Sequence, residues 1–266
     1  MNYLIKRASM LMMMGSVLAL ACVDGTMAYE SVPVTNGGTL QGKVSLRGSQ
    51  PPPKEFELRR YPDRTFCGLI SDGNGIRHLH EVIASQDGGL KDVVVVIEGV
   101  QKGKPFNNFP GAQVEANICQ FLPFVTVMGD KREITVTNRD KIFHDIQGYA
   151  FDRQGIDIVL HRASLEKMGT TDTVNLTKGR KAFVMQCGQH PYMQNWGYAI
   201  DNPYYAITGM DGQFTIGDLP PGTYKITAWH PAMDAQTKDV TVTANGTLSL
   251  EFSFEYKPLG AFGKAE

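Results

Sequence analysis

Apolar and polar residues alternate along most of this chain. Leu40-Gln-Gly-Lys-Val44-Ser-Leu46 sets its apolar side chains on one face, the pattern of a half-buried strand. Val93-Val-Val-Val-Ile97 follows Gly88-Gly89 as an unbroken β-branched run, which predicts a strand buried on both faces. Further strands are predicted over 124–128, 133–137, 145–151, 156–160, 173–176 and 182–187. Past residue 204 the alternation resumes with Phe214 and Ile216, then Tyr224, Ile226 and Ala228, then Val240 and Val242, then Leu248, Leu250, Phe252 and Phe254. Turn formers separate these runs, among them Asp211-Gly212 and Asp218-Leu-Pro-Pro-Gly222. Only Ser164 to Met168 reads as helical, and residues 59–87 carry no period. Short strands between Gly, Pro and Asp turns predict an all-β protein of sandwich architecture.

Charge and composition alter this picture mainly at the N-terminus. Lys and Arg number 26 against 27 Asp and Glu, so the basic excess of a nucleic-acid binder is absent. Met1 to Arg7 is short and basic, and Leu11 to Ala21 is apolar but too short to span a bilayer. Small residues at Thr26 and Ala28 complete a cleavage site. Residues 1–28 therefore read as a secretory signal peptide, with a periplasmic destination. Ala19-Leu-Ala-Cys22 offers a competing reading, a lipoprotein site with a lipid anchor at Cys22. No later stretch is apolar for long enough to cross a membrane. Removal of the signal leaves Cys67, Cys119 and Cys187, an odd number in an oxidising compartment. The simplest assignment pairs Cys67 with Cys119 in a disulfide and leaves Cys187 for a metal. The alternative keeps Cys67 and Cys119 as free buried thiols.

The candidate chemistry lies in Cys187-Gly-Gln-His190-Pro-Tyr-Met193. A thiolate, an imidazole and a thioether fall within seven residues at the end of a predicted strand, and His144 upstream could add a fourth ligand. Two histidines and a cysteine with a weak axial methionine form the ligand set of a blue-copper centre. The bland alternative is a buried cysteine beside a histidine and a methionine that lie near it by chance. Gln186 and Gly188 flank the cysteine, so no histidine relay leads to a trinuclear copper cluster. The loop has no second cysteine for a binuclear centre. The reading is a carrier of one copper ion, not an enzyme. His78 and His80 share one strand face but cannot build a metal cluster alone, and His230 reads as a packing residue.

Residues 110–203 resemble the cupredoxins, on Asn138-Arg-Asp-Lys-Ile-Phe-His144 and on the Cys187-x2-His190-x2-Met193 loop, whose short spacing is similar to that of the amicyanins. The resemblance implies a Greek-key β-sandwich holding one type 1 copper ion on His144, Cys187, His190 and Met193. It also implies an apolar patch around the histidine edge where partners dock, formed in part by Pro191 and Tyr192. The chain departs from the family at Asp145, where cupredoxins usually carry an Asn that ties the two ligand loops. A second stretch, Asp211 to Tyr224, resembles the carboxypeptidase regulatory-like (transthyretin-like) β-sandwich, whose opening strand is similar to Leu40 to Val44. This suggests one sandwich split into residues 38–99 and 204–256, with the cupredoxin domain inserted between them. A tandem arrangement is the alternative. The function so implied is electron transfer between periplasmic redox proteins, such as a c-type cytochrome or a dehydrogenase. Two other readings are a copper carrier or buffer, and a non-catalytic binding module with a vestigial copper loop.

Overall fold

The computed structural model describes residues 29–106, 112–129, 133–152, 155–175 and 181–257, with backbone alone for 151–164. The candidate signal peptide, residues 1–28 with Cys22, lies outside the described residues. Among the described residues no helix is long and apolar enough to cross a membrane.

The first alternating segment forms strand Gly38–Arg47, which lies between Gln213–Leu219 and Thr247–Glu255. It runs antiparallel to the former and parallel to the latter. The facing sheet orders Tyr205–Ile207, Val94–Glu98, Gly222–His230 and Met233–Val242. Leu40, Val44, Val95, Ile97, Phe214, Ile226 and Phe252 share the core between the two sheets. Segments from both ends of the chain thus close one sandwich. Gly42 permits the close approach of two of its strands, since a Cβ there would stand 1.7 Å from the Leu250 carbonyl oxygen.

The residues between build a second sandwich. One sheet orders Thr171–Asn175, Glu133–Asn138, Ala112–Ala116 and Phe121–Leu122; the other orders Gly155–Leu165, His144–Asp152, Ala182–Cys187, Gln194–Ala199 and Val125–Met128. Ile134, Val136, Ile146, Phe183 and Met185 fill its core. The helix expected over 164–168 is absent. Strand Gly155–Leu165 stays paired to its neighbour as far as Leu165, and the Asn138 side-chain amide holds the Leu165 carbonyl at 3.1 Å. A turn follows.

The unbroken apolar run at Val94–Glu98 has a clear cause. Val95 and Ile97 face the first core, while Val94 and Val96 pack against Val125, Val127, Tyr198 and Ile200 of the second sandwich. The Tyr198 and Trp229 rings meet across the same seam with centroids 5.0 Å apart.

Residues 54–79 correct the expected division of the chain. By position they fall within the segment assigned to the first sandwich. They form instead a two-stranded hairpin, Lys54–Glu57 with Ile76–Leu79, enclosing short helical turns. Leu58 and Cys67 are buried in the second sandwich's core, with Phe56, Tyr61, Phe66 and Ile70 packed against it. These apolar side chains are irregularly spaced, so no strand of the first sandwich can use them, and they bury on the neighbouring body. Cys67 is bonded to Cys119 of that body, at 2.07 Å between sulfurs across a sequence separation of 52. This segment is called the strap below.

Candidate metal centre

Strand Ala182–Cys187 delivers Cys187 to one end of the second sandwich, and the adjacent strand His144–Asp152 begins there with His144. The chain then turns tightly. The Met193 N–H donates to the His190 carbonyl at 2.8 Å and the Cys187 N–H to the Met193 carbonyl at 3.2 Å, closing a loop that brings His190 back over the sulfur. Nδ1 of His190 lies 3.5 Å from Cys187 Sγ and Nδ1 of His144 lies 3.8 Å from it. The three residues are fully buried, and their candidate ligand atoms lie within 4.8 Å of one another. Nitrogen and sulfur bound to one ion at roughly 2.0 and 2.3 Å in a trigonal plane stand roughly 3.7 Å apart, so the donor set fits a metal. Met193 is buried in the same core cluster as Cys187.

Each imidazole is oriented by a partner on its far nitrogen. Nε2 of His144 lies 2.9 Å from Asp140 Oδ2, both groups being buried. The same carboxylate accepts the Ile118 and Cys119 N–H groups at 2.5 and 2.8 Å. Both those residues have left-handed φ, 47° and 52°, a conformation strained for the β-branched Ile118 that the carboxylate helps to hold. Nε2 of His190 lies 3.3 Å from the Pro62 carbonyl oxygen. A carbonyl can only accept, so Nε2 is the donor of that pair, and Asp63 Oδ2 lies 3.8 Å from the same nitrogen. Burial alone would raise the Cys187 thiol, but hydrogen bonds and charge from His144 and His190 outweigh it and bring the thiol down to about 6. Burial would lower His144, but Asp140 and Cys187 outweigh it and raise that imidazole to about 9. A thiolate facing two imidazole nitrogens is the form that binds a soft cation.

Asp145 joins the two ligand segments through its backbone, for its carbonyl accepts the Gly188 N–H at 2.9 Å. A Cβ on Gly188 would stand 2.4 Å from Asp145 Oδ2 and 2.3 Å from Gln147 Nε2. Glycine leaves room for these two side-chain ends where they now lie.

The expected docking patch needs correction. Tyr192 is only 2% exposed. Its ring lies 5.7 Å from Phe56 and 5.5 Å from Tyr61, both in the strap. Pro191 is half-buried, and its carbonyl accepts from Gln186 and Gln194. The strap buries the edge that the family resemblance would leave open. Sequence reasoning missed Asp140, although its place four residues before His144 was a usable signal. It also missed the Pro62 carbonyl, which no side-chain pattern could reveal. His78 lies outside the cluster, half-buried between Asp72 and Glu55, and His80 contacts Gln50. His230 is buried in the first sandwich, where Nδ1 accepts the Ala232 N–H at 3.1 Å and Nε2 has no hydrogen-bond partner.

The first sandwich has a recognised counterpart. Residues 199–255 match the carboxypeptidase regulatory-like domain. The structure completes that domain's sandwich with strands Gly38–Arg47 and Val94–Glu98, from well upstream of the match. No curated protein matches the chain. Among solved structures, a purple cupredoxin from Nitrosopumilus maritimus is 16% identical, overlapping 34% of this chain and 99% of its own at a TM-score of 0.28. An oxidised amicyanin variant is 13% identical, overlapping 35% of this chain and 86% of its own at a TM-score of 0.29. A copper-containing nitrite reductase from Thermus scotoductus SA-01 is 19% identical, overlapping 34% of this chain and 22% of its own at a TM-score of 0.26. Scores this low assign no role to any residue, and the metal reading rests on this chain's own atoms.

Proposed function

We propose that His144, Cys187 and His190, with Met193 as a weak axial ligand, bind one copper ion, and that the protein carries single electrons rather than catalysing a reaction. The observation that carries this reading is the buried Cys187 sulfur with two imidazole nitrogens at the spacing of a trigonal site, each imidazole held from behind by Asp140 or by the Pro62 carbonyl. Bound copper would supply a one-electron couple that both Cys and His ligands tolerate. The protein's own contribution is rigidity. Two strand ends, a closed seven-residue loop and a disulfide-held strap keep the ligand atoms in place, and burial excludes water. With the sequence reading of an N-terminal signal, the setting is the periplasm, and the partners are redox proteins such as a c-type cytochrome or a dehydrogenase.

The test is to load the protein with Cu(II) and record its visible spectrum. A strong thiolate-to-copper charge-transfer band that disappears in Cys187→Ser is the expected result. A folded protein that remains colourless would refute the reading. Complete burial of His190 also favours a second function, copper holding. In that case the loaded protein would pass copper to an acceptor apoprotein and would not exchange electrons with one-electron oxidants.

A further inference from the structure

The far nitrogens of both imidazoles lead to one surface. Nε2 of His190 meets the carbonyl of Pro62, and Pro62 is exposed. Nε2 of His144 meets Asp140, whose carboxylate holds the N–H groups of Ile118 and Cys119. Cys119 is bonded to Cys67, which brings the strap and the 117–120 turn within 5.4 Å at Cα. Large apolar side chains stand out at this junction, Leu69 at 69% exposure and Ile118 at 39%. The strap itself carries guanidinium groups. Arg59 and Arg60 are exposed and share the single carboxylate of Glu57, and Arg64 is exposed four residues on; Asp63, exposed next to Pro62, is the other carboxylate of residues 57–64, so the guanidinium groups outnumber the carboxylates there.

We propose that the strap is the docking surface of this protein: a redox partner with an apolar face rimmed by carboxylates seats on Pro62, Leu69 and Ile118, against Arg59, Arg60 and Arg64. The inference rests on the copper reading above. The strap covers the histidine edge and also replaces it. One hydrogen bond separates His190 from Pro62, an exposed residue, so the strap offers a short path from the centre to solvent. One electron passes from the reduced centre to the partner, and no bond forms or breaks. The apolar residues supply the small, weak interface that redox encounters use. The guanidinium groups steer an acidic partner to it.

The experiment uses the copper-loaded full chain, reduced and then mixed with two oxidants, anionic ferricyanide and a cationic cobalt phenanthroline complex. In Arg59→Glu/Arg64→Glu the ferricyanide rate falls about fivefold at low ionic strength and the cobalt rate rises, with both effects shrinking as salt is added. Lys238→Glu, on the far sandwich, leaves both rates near those of the unaltered chain. The charge-transfer band is the same in all three proteins. Retained colour with unchanged rates in the strap variant would overturn the docking surface while leaving the copper reading intact. A ferricyanide rate that rises on reversal would overturn the acidic partner. An unaltered protein that takes up no copper would overturn both readings together.

Discussion

Replacing Cys67 and Cys119 by alanine removes the covalent tie between the strap and the second sandwich. The bridge closes a loop of 52 residues, and the chain-entropy relation assigns such a loop about 4 kcal/mol. Alanine is the better substitute, because both sulfurs are fully buried and serine would add the cost of burying two hydroxyls. With a urea m-value of roughly 2 kcal/mol/M, the midpoint of the second sandwich should fall by about 2 M. The assay is urea unfolding of the metal-free variant and the unaltered protein side by side. The effect should also be local. Arg59, Arg60 and Arg64 lie in the strap, so brief trypsin treatment in native buffer should cut the variant there first, as read by mass spectrometry. A midpoint shift below about 0.5 M together with an uncut strap would refute the reasoning. Ring contacts among Phe56, Tyr61 and Tyr192 would then hold the strap without the bridge.

Three further outcomes are expected. Met193→Leu keeps the charge-transfer band, shifts the reduction potential and costs less than about 1.5 kcal/mol, because the swap nearly conserves volume; loss of all copper would show that Met193 is not a weak ligand. Burial lowers His230 to about 4, so its neutral form favours the fold above the unfolded value of about 6.5, and about 3 kcal/mol is lost as pH falls from there through about 4. Denaturant titrations of His230→Gln and the unaltered protein between pH 7 and 4 should show a flatter slope in the variant; equal slopes would refute this. The Tyr192 hydroxyl is buried with no hydrogen-bond partner, so Tyr192→Phe should raise stability by about 1 kcal/mol, and a loss of that size would contradict the packing described.

The sequence made the strand structure legible where one period dominates. Leu40, Val44 and Leu46 announced a half-buried strand, and the unbroken Val93 to Ile97 run announced one buried on both sides. Neither showed what lay on the second side, since Val94 and Val96 meet the other sandwich only through the fold. The candidate site was legible because three of its proposed ligands sit on one loop and because cysteine chemistry is scarce in the chain. The strap was not legible. Its buried groups, Phe56, Leu58, Tyr61 and Cys67, are irregularly spaced, and long-range ring contacts and one disulfide fix their place. The docking patch around Tyr192 failed for the same reason: a side chain that reads as surface by family likeness is buried by a segment more than a hundred residues upstream. Ser164 to Met168 failed because five residues of helix-compatible composition carry no weight against a paired neighbouring strand.

The pairing of Gly38–Arg47 with Thr247–Glu255 sets an order of assembly. A ribosome or a translocation channel delivers the first of these strands long before the last. The entire middle sandwich emerges between them and can complete its own sheets while the outer one waits. Once formed, it acts as a compact clasp that holds the two outer halves near each other, so closing the outer sheet no longer means restraining a long floppy loop. A polypeptide released just before Thr247 would keep the second sandwich intact and leave Gly38–Arg47 with a bare edge, open to pairing with another chain.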